Sequence, residues 1–280
     1  MGGWSTDGER RVQQWLYGTG LAMAGVFLLG PVAIMILTSI SSDNAFMRHG
    51  LVPTLQNYRA ILGTPSLHFG RYCLNSLVVG LISAACATLV ASGGAYMLTR
   101  FPFRGRGALL LGTLALSMFP QICIAGYLFR IIASAGLVNT WAGLLLPYVA
   151  WILPLSFWIL VSYFAQIPRE LDKAAFIDGC SPPRTLLTVI LPLAAPGMFA
   201  TFLLAFISAF NEFMFALMLT SDHTARTVPV GIALFQGLHG EIPWGTVTAA
   251  SVLTSVPVII ITLSFQRHII QGLTRGAVKG

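Results

Sequence analysis

Six long apolar segments determine what this chain can fold into. Each has roughly the 20 residues that an α-helix needs to cross the hydrocarbon layer of a membrane. Backbone polar groups must pair inside that layer, and no alternating β-barrel pattern is present, so the segments must be helices. The sequence therefore predicts an all-α, polytopic membrane protein with six transmembrane helices. The segments lie near residues 15–38, 73–98, 107–132, 140–165, 196–220 and 244–265.

The composition excludes an ordinary water-soluble fold. Of the 280 residues, 56% are hydrophobic and only 9% are charged, whereas soluble domains carry about 25% charged residues. So few charges cannot cover a soluble core with polar side chains. The lipid bilayer is therefore the expected surrounding of the chain. Because no repeat or soluble domain interrupts the apolar pattern, we expect a single membrane domain over residues 1–280.

The distribution of Lys and Arg predicts the orientation. Six crossings place both termini on one side of the membrane. The termini and the even-numbered loops hold 11 of the 16 basic residues, and the other loops and helix ends hold five. The positive-inside tendency therefore places both termini in the cytoplasm of a multi-pass protein of the cell membrane. The net charge of +7 is explained by orientation, and nucleic acid is not an expected partner.

Residues 166–195, the longest interior connection, have a helical pattern. Leu171, Ala174 and Ala175 share one helical face, and Gly179 suits the left-handed residue that ends a helix. This segment predicts a short cytoplasmic helix between the fourth and fifth spans.

The same segment contains a recognisable motif. The spacing Lys173-Ala-Ala-x3-Gly179-x9-Val189-Ile-Leu191-Pro192 resembles the EAA loop of binding-protein-dependent ABC importer permeases. Lys173 stands where the motif has Glu, and Val189 stands where it has Ile. Other segments resemble the MalG-like branch, which takes up carbohydrates: Thr54-Leu-Gln-Asn57-Tyr58, Asn75-Ser76, Phe101-Pro-Phe-Arg-Gly105-Arg, Gly136-Leu-Val-Asn139-Thr140-Trp, Asn211-Glu212-Phe213 and Gly272-Leu-Thr-Arg-Gly276-Ala-Val-Lys-Gly280.

The resemblance implies the fold and the partners. It implies the type I ABC importer fold, with a permease core over about residues 71–265 and a coupling (EAA-like) loop at 166–195. Such a permease imports a sugar or sugar-like solute by alternating access. It pairs with a second homologous permease. The two permeases assemble with a dimer of cytoplasmic ATP-binding subunits and receive the solute from an extracytoplasmic substrate-binding protein. This chain has no GxxxxGK[ST] phosphate loop, so we expect a non-catalytic subunit without a cofactor, and ATP and Mg bound by the partner subunits.

The resemblance also implies where the ATPase subunit binds. We expect the small side chains of Ala174 and Ala175 to enter a groove of that subunit, with charged neighbours making polar contacts. The full set of coupling residues expected from the motif is Leu171, Asp172, Lys173, Ala174, Ala175, Asp178 and Gly179.

Two polar residues lie inside the predicted fifth span. Asn211 and Glu212 would be unfavourable facing lipid, so we expect them to face the bundle interior or a wet cavity. They either hydrogen-bond neighbouring helices, which we favour, or line the sugar path.

The exterior connection at 221–243 is the expected contact for the binding protein. Phe235, Gln236 and His239 are the candidate contact residues. A plain solvated loop followed by an interfacial aromatic residue, Trp244, is the alternative.

Other membrane proteins share such a composition. An ion-coupled secondary transporter or channel is the main alternative, but Glu212 is the clear ionisable candidate inside a span, and ion coupling usually needs several. The histidines are scattered, so neither a metal site nor a membrane enzyme is predicted. Disaccharides, longer oligosaccharides, polyols and glycerol-phosphate compounds all remain possible substrates.

Overall fold

The computed structural model describes residues 6–42, 52–235 and 242–277. The regular elements of these ranges are helical, apart from an isolated bridge between Ser41 and Pro53, and the predicted all-α class is confirmed. The α-helices are α1 (Thr6–Ser39), α2 (Gln56–Gly63), α3 (Phe69–Arg100), α4 (Arg106–Ser117), α5 (Gln121–Ser134), α6 (Trp141–Phe164), α7 (Glu170–Ile177), α8 (Pro182–Thr185), α9 (Leu191–Phe210), α10 (Met214–Leu219), α11 (Val228–Ala233) and α12 (Trp244–Ala277).

The third predicted span is not one helix. Five helices of the described chain are long and apolar enough to cross a membrane, and α4 and α5 make a sixth crossing only as a pair bent by 90°. The bend lies just before α5, where Pro120 precedes the first helical residue. Proline cannot donate a backbone hydrogen bond, and it disfavours helical geometry in the residue before it. The predicted crossing at 107–132 is therefore present as a bent pair of helices rather than as one straight helix.

The fifth predicted span is displaced along the chain. A continuous helical stretch runs over Pro182–Phe210, in which a π-helical turn at Leu186–Ile190 joins α8 to α9. The stretch ends ten residues before the predicted end at 220. Hydropathy placed that end wrongly because residues 213–219, beyond the polar pair Asn211 and Glu212, are apolar again; most of them form the separate helix α10.

The described chain divides into two compact units, the first formed by Met1–Leu67 and Phe235–Leu253. In this unit no residue of the most apolar 18-residue window of α1 is buried. The end of α1 is joined to α2 by polar contacts. Asn57 donates from Nδ2 to the carbonyl oxygens of Ser39 and Ser41, at 2.9 and 2.7 Å, and the hydroxyls of Ser39 and Tyr58 are 2.7 Å apart.

The second unit, His68–Leu234 with Thr254–Gly280, contains the main core. In it α3 packs against α6 and α9. Close helix contact is made at small residues, as expected for membrane helices. A Cβ atom added at Gly80 would lie 3.2 Å from the ring of Phe206, and one at Gly94 would lie 2.9 Å from the ring of Phe157.

Candidate functional site

The coupling segment folds as a helix followed by a left-handed turn. Helix α7 ends at Ile177, and Gly179 has a φ of +82°. The amides of Gly179 and Cys180 donate to the carbonyls of Phe176 and Ala175, at 3.1 and 2.9 Å. These bonds satisfy carbonyl groups that the helix end leaves free. A positive φ favours glycine, which explains the glycine of the motif.

The outward face of α7 differs from the expected one. Glu170, Lys173, Ala174 and Ile177 are exposed and follow the spacing of one helical face. Ile177 is the most exposed of them, at 85%. The sequence interpretation missed it, although its spacing from Lys173 and Ala174 would have placed it on their face.

Two predicted contact residues face the subunit's own interior. Ala175 and Asp172 are both buried, so neither presents its side chain to an incoming partner. The prediction that Ala175 and Asp172 belong to the exposed docking surface is therefore corrected. Leu171, Lys173, Ala174, Asp178 and Gly179 remain exposed.

The buried Asp172 forms an ion pair with Arg100, the last residue of α3. The Nε of Arg100 lies 2.9 Å from Oδ2 of Asp172, and the two side chains are only 5% and 7% exposed. The hydroxyl of Tyr96, one turn earlier on α3, lies beside the same carboxylate. Pairing is what makes a buried charge tolerable. Sequence reasoning assigned Arg100 to membrane orientation alone, because a single sequence does not show which distant residues are paired.

Two further contacts join the same elements. Arg100 also donates from Nη2 to the carbonyl of Ile167, at 3.1 Å. In return, Arg169 donates from Nη2 to the carbonyl of Thr99, at 2.8 Å. Thr99 lies in the last turn of α3, where carbonyl groups lack helical partners and attract cations. The end of α3 and the start of α7 are thus bound to each other in both directions.

Glu212 lies in the break between α9 and α10. Its two carboxylate oxygens accept from the amides of Phe215 and Ala216, at 2.9 and 3.1 Å. The residue is 7% exposed, and the phenol of Tyr148 lies beside it. A carboxylate at a helix N-terminus satisfies free amides and the positive end of the helix dipole. These contacts support the structural role favoured from the sequence.

Asn211 differs from its neighbour. It is exposed, and its Nδ2 donates back to the carbonyl of Ile207 at 2.8 Å. Of the two residues predicted to lie inside the fifth span, Asn211 is exposed and Glu212 is buried.

A set of hydrogen bonds on the opposite side from α7 fixes the loop between α10 and α11. Asn75, near the start of α3, donates from Nδ2 to the carbonyls of His223 and Arg226, at 3.1 and 2.9 Å. Its Oδ1 accepts from Nε1 of Trp141 at 2.9 Å. The Ser76 hydroxyl accepts from the amide of Val228 at 2.8 Å. We call this set, Asn75, Ser76 and their partners, the outer clasp.

Asn139 extends the outer clasp. It has a positive φ of 59°, and its Oδ1 accepts from the amide of Ser221 at 3.1 Å. Its Nδ2 donates to Oδ1 of Asp222 at 2.9 Å. Hydrogen bonds from Thr224 and Asn139 hold the pKa of the Asp222 carboxyl below its usual value. The family-like segments containing Asn75, Ser76 and Asn139, to which sequence reasoning gave no role, therefore bind one loop.

Basic and aromatic side chains surround the outer clasp. The rings of His68 and His223 stack with centroids 3.9 Å apart. The guanidinium of Arg71 lies 5.6 Å from the centre of the Trp141 ring. Cations over aromatic faces are attracted to them. Arg71 and Arg226 thus place two guanidinium groups on this side of the second unit, beside the carboxylate of Asp222.

The predicted binding-protein contacts are only partly described. Phe235 is 8% exposed, so its prediction as a surface contact is corrected. Gln236 and His239 lie outside the described residues. Trp244, at the start of α12, is 46% exposed. Over residues 6–42, 52–235 and 242–277, no group of three or more His, Cys, Asp or Glu could hold a metal ion.

Comparisons with known proteins cover most of the chain. Residues 87–275 match the family described as "Binding-protein-dependent transport system inner membrane component". The chain is 52% identical over 275 residues to the trehalose/maltose transport system permease protein MalG of Thermococcus litoralis, covering 97% of this chain and 99% of that protein. It is 38% identical over 277 residues to the trehalose transport system permease protein SugB of Mycobacterium tuberculosis, covering 98% and 100%.

A solved structure has the same fold. A chain from the crystal structure of a bacterial ABC transporter involved in the import of the acidic polysaccharide alginate superposes with a TM-score of 0.76, at 21% sequence identity. The match covers 96% of this chain and 100% of that chain. The type I ABC importer permease fold predicted from the sequence is thereby confirmed.

Proposed function

The chain belongs to the family of binding-protein-dependent transport system inner membrane components, and from this premise we propose that it forms part of the path by which an ATP-driven importer moves a disaccharide into the cell. It is a multi-pass membrane subunit without ATPase activity of its own. ATP and Mg bind to partner subunits on the cytoplasmic side. We propose that residues 1–280 act as one membrane domain, with a core of about 71–265 and a coupling loop at 166–195.

Helix α7 is the observation that carries this proposal. It is a short helix outside the spans, held at its inner face by a buried ion pair and exposed at its outer face. Exposed apolar side chains such as Ile177 are unfavourable in water and suit a protein groove. We propose that Lys173, Ala174 and Ile177 form the central contact with the ATPase subunit, with Leu171, Asp178 and Gly179 beside it.

The outer clasp supports a docking site for the binding protein on the other side. A loop held by several hydrogen bonds loses little conformational freedom when a partner binds, so less of the binding free energy is spent on ordering it. We propose that the loop between α10 and α11 forms the rigid edge of this site. From the sequence alone, we also propose that Gln236 and His239 contact the binding protein. Both chain termini then lie in the cytoplasm, in agreement with the basic residues around α7.

The substrate proposal rests on the relatives. The two relatives described above are named for trehalose and maltose transport, and both matches cover nearly the whole of each chain. We therefore propose a small, neutral glucose disaccharide as substrate, with trehalose and maltose as the first compounds to test. Asn211 presents an amide that can hydrogen-bond a sugar hydroxyl, and we propose that it faces the path.

Selective energy depletion tests the proposal against an ion-coupled transporter. Cells that express the complete transporter are depleted of ATP while the ion gradient is maintained, and labelled trehalose uptake is measured. We expect uptake to stop. In the converse arm, an ionophore removes the gradient while ATP is maintained, and uptake should continue. Uptake that follows the gradient and ignores ATP would contradict the proposal.

A further inference from the structure

We propose that Arg100 and Asp172 are a positioning pair that fixes α7 to α3, so that α3 directly connects the ATPase-facing helix with the loop that faces the binding protein. The inference rests on the proposed function and adds to it a specific mechanical connection. Neither residue of the pair touches ATP or sugar in this account. Each acts by holding an element in place.

The inner end of this connection has a defined geometry. The ion pair between Arg100 and Asp172 is joined by the bond from Arg100 to Ile167 and by the returning bond from Arg169 to Thr99. Helix α7 has eight residues, too few for an isolated helix to be stable in water. Its position must therefore come from contacts to its neighbours. These include the ion pair of Asp172 with Arg100 and the two directional hydrogen bonds from arginine to backbone carbonyls.

A buried ion pair contributes more to the relative position of two elements than to the free energy of unfolding. Replacing a buried ion pair by apolar side chains of similar volume is often neutral or stabilising, so such a pair is weak evidence for stability. Its geometry does restrict how the two elements can sit. At the inner face of α7, Ala175 supplies apolar burial, and Asp172 fixes the register against α3.

The outer end of the connection is the outer clasp. Asn75 and Ser76 lie near the start of α3 and bind the backbone of the loop between α10 and α11. Arg100 is the last residue of the same helix. The 32 residues of α3 extend for about 48 Å at 1.5 Å per residue, so one helix reaches from the outer clasp to α7.

This arrangement predicts how a signal passes. A binding protein docked on the outer clasp displaces the start of α3. Because α3 is one continuous helix packed against α6 and α9, its far end moves with it and carries α7 through Arg100 and Asp172. Without the pair, α7 still docks on the ATPase subunit but no longer follows α3.

The test measures ATP hydrolysis and uptake together. The complete transporter, reconstituted in proteoliposomes, is assayed with and without its sugar-loaded binding protein. In Arg100→Gln and in Asp172→Asn we expect basal hydrolysis to persist and stimulation by the binding protein to disappear. Uptake should fall by at least about tenfold, within the usual range of coupling between sites. Arg104→Gln, an exposed arginine four residues from Arg100, is the matched control and should behave as wild type.

A double variant separates positioning from folding. Arg100→Asp combined with Asp172→Arg restores the opposite charges, and we expect it to recover part of the stimulation that each single variant loses. Asp172→Asn keeps the shape of the side chain while removing its charge. It therefore tests the loss of the ion pair if Arg100→Gln is not recovered in the membrane.

Three outcomes would overturn the inference. The first is normal stimulation in both single variants. The second is an exchanged pair with no recovery. The third is loss of the assembled complex in both single variants, which would mean that the pair holds the fold itself. Failure of the wild-type complex to import sugar with ATP would instead contradict the proposed function, so the two failures are distinguishable.

Discussion

At the scale of single residues, the two polar side chains in the break after α9 have different surroundings. Glu212 caps α10 from inside the fold, whereas Asn211 is exposed. Glu212→Gln keeps one acceptor oxygen and replaces the other with a donor, so one amide of α10 loses its partner. We expect a loss of about 1 kcal/mol in the free energy of unfolding, the usual size for a helix cap, seen as a lower melting temperature of the purified permease.

Asn211→Ala is the matched variant at the neighbouring position. We expect the melting temperature to remain unchanged because the exposed amide supports no other element. If Asn211 faces the sugar path, the variant raises the KM for sugar uptake. A stability loss equal to that of Glu212→Gln would contradict the separation of the two roles.

The outer clasp depends on the amide of Asn75. Asn75→Asp retains an acceptor for Trp141 but removes both bonds to the carbonyls of His223 and Arg226. We expect faster hydrogen exchange over residues 220–228 and loss of stimulation by the binding protein. Ser66→Ala, on the exposed turn before α3, is the control. Unchanged exchange in Asn75→Asp would show that the loop holds its position without the clasp.

At the scale of elements, α7 has two faces with opposite requirements. Ile177→Asp places a charge on the exposed face, so we expect the permease to melt normally while less ATPase subunit copurifies with it. Ala175→Trp overfills the buried face, which usually reduces stability by about 1–3 kcal/mol. We expect that variant to lower the melting temperature of the permease alone. The reverse pattern would mean that the faces are assigned wrongly.

The turn after α7 depends on the positive φ of Gly179. An added Cβ at Gly179 meets no atom within 4 Å, but its φ of +82° is strained for any other residue. Left-handed geometry costs an L-residue roughly 1–2 kcal/mol, and a β-branched residue tolerates it least. We therefore expect Gly179→Val to abolish uptake while the chain remains inserted in the membrane, and Gly179→Ala to reduce uptake less. Equal, normal uptake in both would contradict the need for this turn.

The sequence predicted some elements better than others, for physical reasons. The short helix α7 was predictable because Gly179 and the spacing before it are local signals. Pro120 is a local signal for a kink or break before α5, although not for its angle of 90°. The end of α9 was not predictable from hydropathy, which averages over the apolar residues on both sides of it. The pairing of Arg100 with Asp172 joins residues far apart in the chain, and one sequence contains no signal for such a contact. The contacts made by residues at the two ends of α3 are therefore visible only in the folded structure.

At the scale of the whole molecule, the proposed topology places α7 and the outer clasp on opposite sides of the membrane. In a variant without the four native cysteines, single cysteines at Arg104→Cys and Thr224→Cys report the two sides. A membrane-impermeant maleimide should label Thr224→Cys in intact cells and Arg104→Cys only after the membrane is opened. Labelling of Arg104→Cys in intact cells would reverse the predicted topology.

The central claim is that α7 receives the ATPase subunit on one side of the membrane while the outer clasp receives the binding protein on the other. The most direct measurement is trehalose or maltose uptake by proteoliposomes of the complete transporter, with ATP and the sugar-loaded binding protein supplied on chosen sides. We predict uptake only when ATP is on the side of α7 and the binding protein is on the side of the outer clasp. Uptake without ATP, or with both supplied on the same side, would contradict the account.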